Sequence, residues 1–269
     1  MITYSSQEGF IKPRGIKFRE GQDKNIILPE VAVGVFSRHL FNDIVEKFSC
    51  NEVGYFSCAN MERNVYILKY KEQEITLFMS GVGGPLISCD IEELHSMGVN
   101  KFIIFGNCGV LDKTIKDCSI IIPTKGFREE GTSYHYIPES DTIDMNPKYQ
   151  EEFIKILNEY NFDYRKGYTW TTDAIYRETL EKIKYFKDKG VICVEMEGTV
   201  IASVCQRLGI DYFTFYYAGD NLDSTVWEER SLSGLTEFEK KQEVVYLALN
   251  LAVNLSKKSK YINKDIVKQ

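Results

Sequence analysis

The chain has 269 residues, with 33 Lys and Arg against 39 Asp and Glu, a formal net charge of −6. That acid excess argues against a nucleic-acid partner, and the one basic cluster, Lys257-Lys258-Ser259-Lys260, reads as a solvated helix end. With 43% hydrophobic and 27% charged residues and only 6 prolines, the composition suits a globular protein built as one large domain.

Met1 through Ile16 lacks the apolar core of a signal peptide, and no run approaches the roughly 18 apolar residues of a membrane span. A cytoplasmic protein without membrane contact is expected. The 7 cysteines include no Cys-x-x-Cys pair, and Cys89, Cys108, Cys118, Cys193 and Cys205 fall in apolar stretches. Free thiols in a reducing compartment are therefore expected, rather than disulfides or zinc.

Val31 to Phe36 reads as a first strand. Val65 to Tyr70 and Ile75 to Met79 form a hairpin around the polar turn Lys71-Glu72-Gln73-Glu74. Pro85 to Met97 has a rough helical face, and strands follow at Lys101 to Phe105 and Ser119 to Ile122. Asn146 is expected to cap a helix that starts with Pro147 and turns Phe153, Ile156 and Leu157 inward. Tyr164 to Trp170 reads as a strand, Glu178 to Lys189 as a charged outer helix and Asp211 to Tyr217 as an aromatic strand. Thr236 with Glu239 fits a capping box for a last helix whose run from Val244 to Leu255 is apolar enough to be largely buried.

Strands interleaved with helices predict a three-layer α/β domain, and the hairpin makes its sheet mixed. A single domain over 1–269 is expected, with a core of about 26–255 and peripheral arms at 1–25 and 256–269.

The chemistry concentrates at Val194-Glu195-Met196-Glu197-Gly198. The apolar run Gly190 to Val194 ahead of it reads as a buried strand, and Met196, Val200, Ile201, Val204, Cys205 and Leu208 recur at helical spacing up to Gly209. Two carboxylates thus sit at a strand's carboxyl end, where open α/β sheets place ligands. Two acids there suit a diol; they also suit a helix dipole, as first-turn acids.

Val194 to Glu197, followed by Tyr217-Ala218-Gly219-Asp220-Asn221-Leu222, resembles the signature region of the purine nucleoside and uridine phosphorylase family. Gly81-Val82-Gly83-Gly84-Pro85, Phe105-Gly106-Asn107-Cys108-Gly109-Val110 and Arg128-Glu129-Glu130-Gly131-Thr132-Ser133-Tyr134-His135-Tyr136 agree, in the family's order. The resemblance covers about residues 26 to 255. It implies a three-layer αβα sandwich whose mixed central sheet curls toward a barrel.

The resemblance also implies roles. Glu197 would accept the ribose 2′ and 3′ hydroxyls, Met196 would pack on the sugar, and Glu195 would lie close to the same sugar or support its surroundings. Asp220 would protonate a purine at N7 as the glycosidic bond breaks, or else merely cap the Gly219 turn. The family's pyrimidine branch lacks this aspartate and carries a glutamine and an arginine in the loop after the strand near Trp170. Here that loop reads Thr172 to Glu178, with Arg177 but no glutamine, so a purine is expected. Tyr176 would stack on the base or pack in the core. Arg128 and the loop to His135 would lie over the pocket or at a subunit contact, with His135 reaching the sugar's 5′ hydroxyl.

For phosphate, the family's glycine-aspartate-proline-x-arginine loop is replaced here, with only Arg38 in position to stand in. Ile104 occupies the place of the second phosphate arginine, and Asn107 that of a serine or threonine. The loop Gly81 to Gly84, with Gly83 before a helix, offers free N–H groups to an anion. The resemblance thus implies a nucleoside phosphorylase that uses inorganic phosphate and no other cofactor or metal, assembled as a homo-oligomer such as a dimer or a trimer of dimers. Two alternatives stand beside it: a nucleosidase of the same fold, with Glu30 activating water, and a nucleoside-binding protein without catalysis.

Overall fold

The computed structural model describes residues 4–232 and 234–266, with side chains described through Lys257. Ten strands form one mixed sheet: β1 (Val31–Val35), β2 (Ser49–Cys58), β3 (Met61–Tyr70), β4 (Gln73–Met79), β5 (Lys101–Val110), β6 (Ile120–Glu129), β7 (Thr142–Asp144), β8 (Tyr164–Thr172), β9 (Val191–Glu195) and β10 (Asp211–Asn221). The helices are α1 (Arg38–Lys47), α2 (Gly84–His95), α3 (Ser133–Tyr136), α4 (Gln150–Glu159), α5 (Leu180–Asp188), α6 (Gly198–Leu208) and α7 (Phe238–Ile266).

Strand alternation builds the layers. β1 runs parallel between β4 and β5, with Val33 opposite both Leu77 and Ile103. Val31, Val33 and Val35 face a core shared with α1, α4 and α7, whereas Ala32 faces a second core shared with α2 and α6. The helices thus cover both faces of the sheet. The sheet also curls: β5 pairs with both β9 and β10, and β10–β6, β6–β8 and β8–β9 complete a ring of five strands. Cys108, Val110, Ile121, Cys193, Tyr216 and Ala218 pack together within it.

Several local expectations change. The hairpin turn is only Lys71-Glu72, both at positive φ, so β4 already begins at Gln73. Asn146 caps nothing. It is fully buried at a positive φ, and its amide bonds the carbonyls of Pro123 and Thr214 and accepts the Thr214 N–H, tying β6 to β10. The following helix starts only at Gln150, after Tyr149 in the left-handed region. Helix α7 starts at Phe238, with Glu237 at a φ of 53°, so no capping box runs from Thr236 to Glu239. Residues 256–266 continue α7. Of the cluster at its end, only the side chain of Lys257 lies within the described residues.

Cys108, Cys118, Cys193 and Cys205 are buried, but Cys89 is exposed on α2. Among the described residues no helix is long and apolar enough to cross a membrane.

Candidate active site

One pocket gathers the carboxyl ends of the parallel strands. It is lined by Phe36 just past β1, Val82 past β4, Gly106 to Gly109 on β5, Val194 to Glu197 at the end of β9, and Tyr216 and Asp220 on β10. Ile175 and Glu178, from the segment after β8, close one side. The space is about 650 Å³ with its open mouth included, a size that suits a small organic ligand.

Glu197 stands at the N-cap position of α6 and is 8% exposed. Its Oε1 accepts the Gly83 N–H at 2.5 Å. Gly83 can offer that N–H because it turns at a φ of 92°, a conformation that favours glycine, just before α2. Burial and the neighbouring Glu195 push the Glu197 carboxyl up to about 8.

Glu195 has no such free oxygen. Oε1 accepts from Thr169 at 3.1 Å and Thr171 at 2.6 Å, and Oε2 accepts the N–H groups of Glu197 at 2.8 Å and Gly198 at 2.5 Å. Four donors fill a carboxylate's acceptor sites. Glu195 is therefore the cap of α6 and the support for Glu197, its own acidity weakened chiefly by burial. Gly198 is required beside it, since a Cβ there would collide with the Tyr216 hydroxyl.

Across the pocket, a β-bulge between Ala218 and Asp220 offsets β10 against β5. Asp220 is 8% exposed, and its Oδ2 accepts the Trp227 indole N–H at 2.8 Å. Burial raises its pKa, while Trp227 and the charge of Arg230 pull the other way. Glu178 is pushed up to about 7 by burial first, then by the charges of Asp220 and Glu129, with Lys182 opposing. Two carboxyls that repel each other in a part-buried pocket retain a proton near neutral pH.

Met196 and Asn107 line the same pocket, but the other candidates do not. Tyr176 is 95% exposed and Arg177 beside it faces solvent, while Ile175 of the same turn, half exposed itself, is the one that edges the pocket. Arg128 is buried away from the pocket: it donates to Ser133 and Ser140 at 2.8 Å and to the Pro138 carbonyl at 2.9 Å, and stacks 4.0 Å from the Tyr134 ring centre. It locks the loop that carries His135, which is exposed.

Arg38 opens α1 and lines a separate groove with Glu62 and Arg63. Ile104 is fully buried in the core. Glu30 lies at the opposite end of β1, paired with Lys101 at 2.8 Å, too far along the strand to activate water here. Asp223 pairs with Lys187 and accepts the Lys113 N–H, outside the pocket.

Sequence reasoning missed Glu178, Trp227 and the buried pair Arg63–Asp90. Arg63 meets Asp90 through Nη1 at 2.5 Å and Nη2 at 2.7 Å, and Asp90 also accepts the Gly81 N–H at 2.9 Å, bracing the glycine loop. None of these links has a signature in local spacing. Only the apolar Ile175 and the acid three residues after it hinted that one side of that turn faces inward.

A protein family described as the phosphorylase superfamily matches residues 30–255. A purine nucleoside phosphorylase of the DeoD type from Bacillus cereus is 28% identical over 207 residues, covering 73% of this chain and 84% of that protein. A guanosine phosphorylase from Halorubrum lacusprofundi is 27% identical over 153 residues, 56% of this chain and 63% of that protein. Among solved structures, purine nucleoside phosphorylase from Toxoplasma gondii, in complex with immucillin-H, shares the fold with a TM-score of 0.76 at 21% identity, over 94% of this chain and 99% of that one.

Proposed function

Because the chain belongs to the phosphorylase superfamily, we propose that it cleaves the N-glycosidic bond of a purine nucleoside, with inorganic phosphate as the acceptor, giving the free base and ribose 1-phosphate. One observation carries this reading. A single pocket holds Glu197, fixed by Gly83 with acceptor capacity to spare, opposite Asp220, an acid made weaker by burial. Glu197 accepts the ribose diol while Met196 lies against the sugar. Asp220, in its protonated form, donates to N7 as negative charge grows on the departing base, which lowers the barrier most in the transition state. Phosphate completes the reaction at C1′, and no other cofactor is needed.

A second reading, hydrolysis, is favoured by one specific feature. The pocket lining carries four carboxylates, Glu178, Glu195, Glu197 and Asp220, and no Arg or Lys among the described residues. A phosphate dianion gains little from such a lining. Assaying the purified chain with inosine, guanosine, adenosine and uridine, with and without phosphate, separates the two: ribose 1-phosphate marks phosphorolysis and free ribose marks hydrolysis.

A further inference from the structure

The loop after β10 folds back on that strand, and Ser231 N donates to the Gly219 carbonyl at 3.1 Å. Asn221 and Glu228 exchange backbone hydrogen bonds, Asn221 N to Glu228 O at 2.9 Å and Glu228 N to Asn221 O at 3.2 Å, and the Asn221 amide also donates to the Glu228 carboxylate at 2.8 Å. This clamp sets Trp227, the residue before Glu228, against Asp220, the residue before Asn221. Trp227 is 57% exposed, so packing is not what its ring gains there. Its directed contact is the indole N–H on Asp220 Oδ2. The other oxygen, Oδ1, lies over Gly109 on the pocket wall, where an added Cβ would approach it to 3.1 Å.

We propose that Trp227 is a positioning residue for glycosidic cleavage: its indole N–H holds Oδ2 of Asp220 so that Oδ1 is the oxygen left to meet the base. The role rests on the reading of Asp220 as the acid that serves the leaving purine. An indole N–H donates and never accepts, so it favours the carboxylate over the acid and keeps Asp220 able to part with its proton. The charged and titratable groups around Asp220 are Glu178 from the segment after β8, Arg230 from its own loop and the Cys108 thiol of β5. The substitution at Trp227 leaves all three in place.

The test is the pH dependence of kcat/KM in the wild type and in Trp227→Phe and Trp227→Ala, with inosine and with 7-methylguanosine, whose N7 already carries positive charge. Losing the N–H destabilises the anion, so the alkaline limb for inosine moves upward by roughly one pH unit in both variants. The limb for 7-methylguanosine stays where it is. An unmoved inosine limb in Trp227→Phe, with purine cleavage intact, overturns the role of Trp227 alone. So does a shift seen in Trp227→Ala but not in Trp227→Phe, which would assign the effect to the ring's shielding. No purine release by the wild type at any pH would sink the reading of the whole site, and this role with it.

Discussion

The amide nitrogen of Gly83 lies 2.5 Å from the Glu197 carboxylate, joining loops 114 residues apart in the chain. The bond fixes one carboxylate oxygen and leaves the group able to accept a diol. Glu197→Gln replaces one acceptor oxygen with a donor and removes the anion, so kcat/KM for a purine nucleoside should fall by at least about a hundredfold. Circular dichroism should be unchanged. A variant with near wild-type kcat/KM would remove Glu197 from the sugar site.

Glu197 also sets a pH dependence. Held up to about 8 by burial and by Glu195, it is largely protonated in the free protein at neutral pH. Accepting two hydroxyls favours the anion, so nucleoside binding should release a proton below pH 8 and tighten as pH rises toward 8. Stability runs the opposite way. The folded state holds this proton more tightly than the unfolded chain, so the contribution is full below about 4.5 and is lost as pH rises through about 8. Melting temperatures across this range should therefore decline less in Glu197→Gln than in wild type; identical slopes would contradict the assignment.

Asp220→Asn tests the acid directly. The amide can hydrogen-bond but cannot give an acidic proton, so turnover of inosine should drop by roughly a hundredfold or more. Cleavage of 7-methylguanosine, which needs no protonation, should fall far less. Equal losses on the two substrates would assign Asp220 to binding or structure.

The strand and helix around Glu195 and Glu197 were legible because a short apolar run, a glycine and a 3.6-residue period each point to the same local structure. β2 was not: Ser49–Cys58 is half polar because much of it faces solvent. Asn146 looked like a cap because a proline follows it, yet its amide is used across two strands that no local pattern connects. Site residues followed the same division. Glu197 follows the end of β9 and Asp220 lies near the end of β10, so their place follows from the strand reading, whereas Tyr176 and Glu178 sit two residues apart in a turn whose direction only tertiary packing decides.

The Arg63–Asp90 pair predicts a stability effect coupled to function. Asp90→Ala leaves a buried guanidinium uncompensated and should cost about 3–5 kcal/mol, read as a lower denaturant midpoint. Because Asp90 also holds the Gly81 N–H, KM should rise in whatever fraction stays folded. A midpoint within error of wild type would contradict this.

We expect a homo-oligomer, since the large apolar side chains of Val82 and Ile175, at the edge of the pocket, are 59% and 49% exposed. Sedimentation at micromolar concentration should show a species of at least twice 31.1 kDa. A single species of the monomer mass would exclude it.

The most direct measurement is chromatographic detection of free base and sugar product from inosine and guanosine incubated with the purified chain, with and without phosphate. Release of hypoxanthine and guanine together with ribose 1-phosphate, dependent on phosphate, is the predicted result. Cleavage of uridine with none of either purine nucleoside, or no release from any of them, would contradict it.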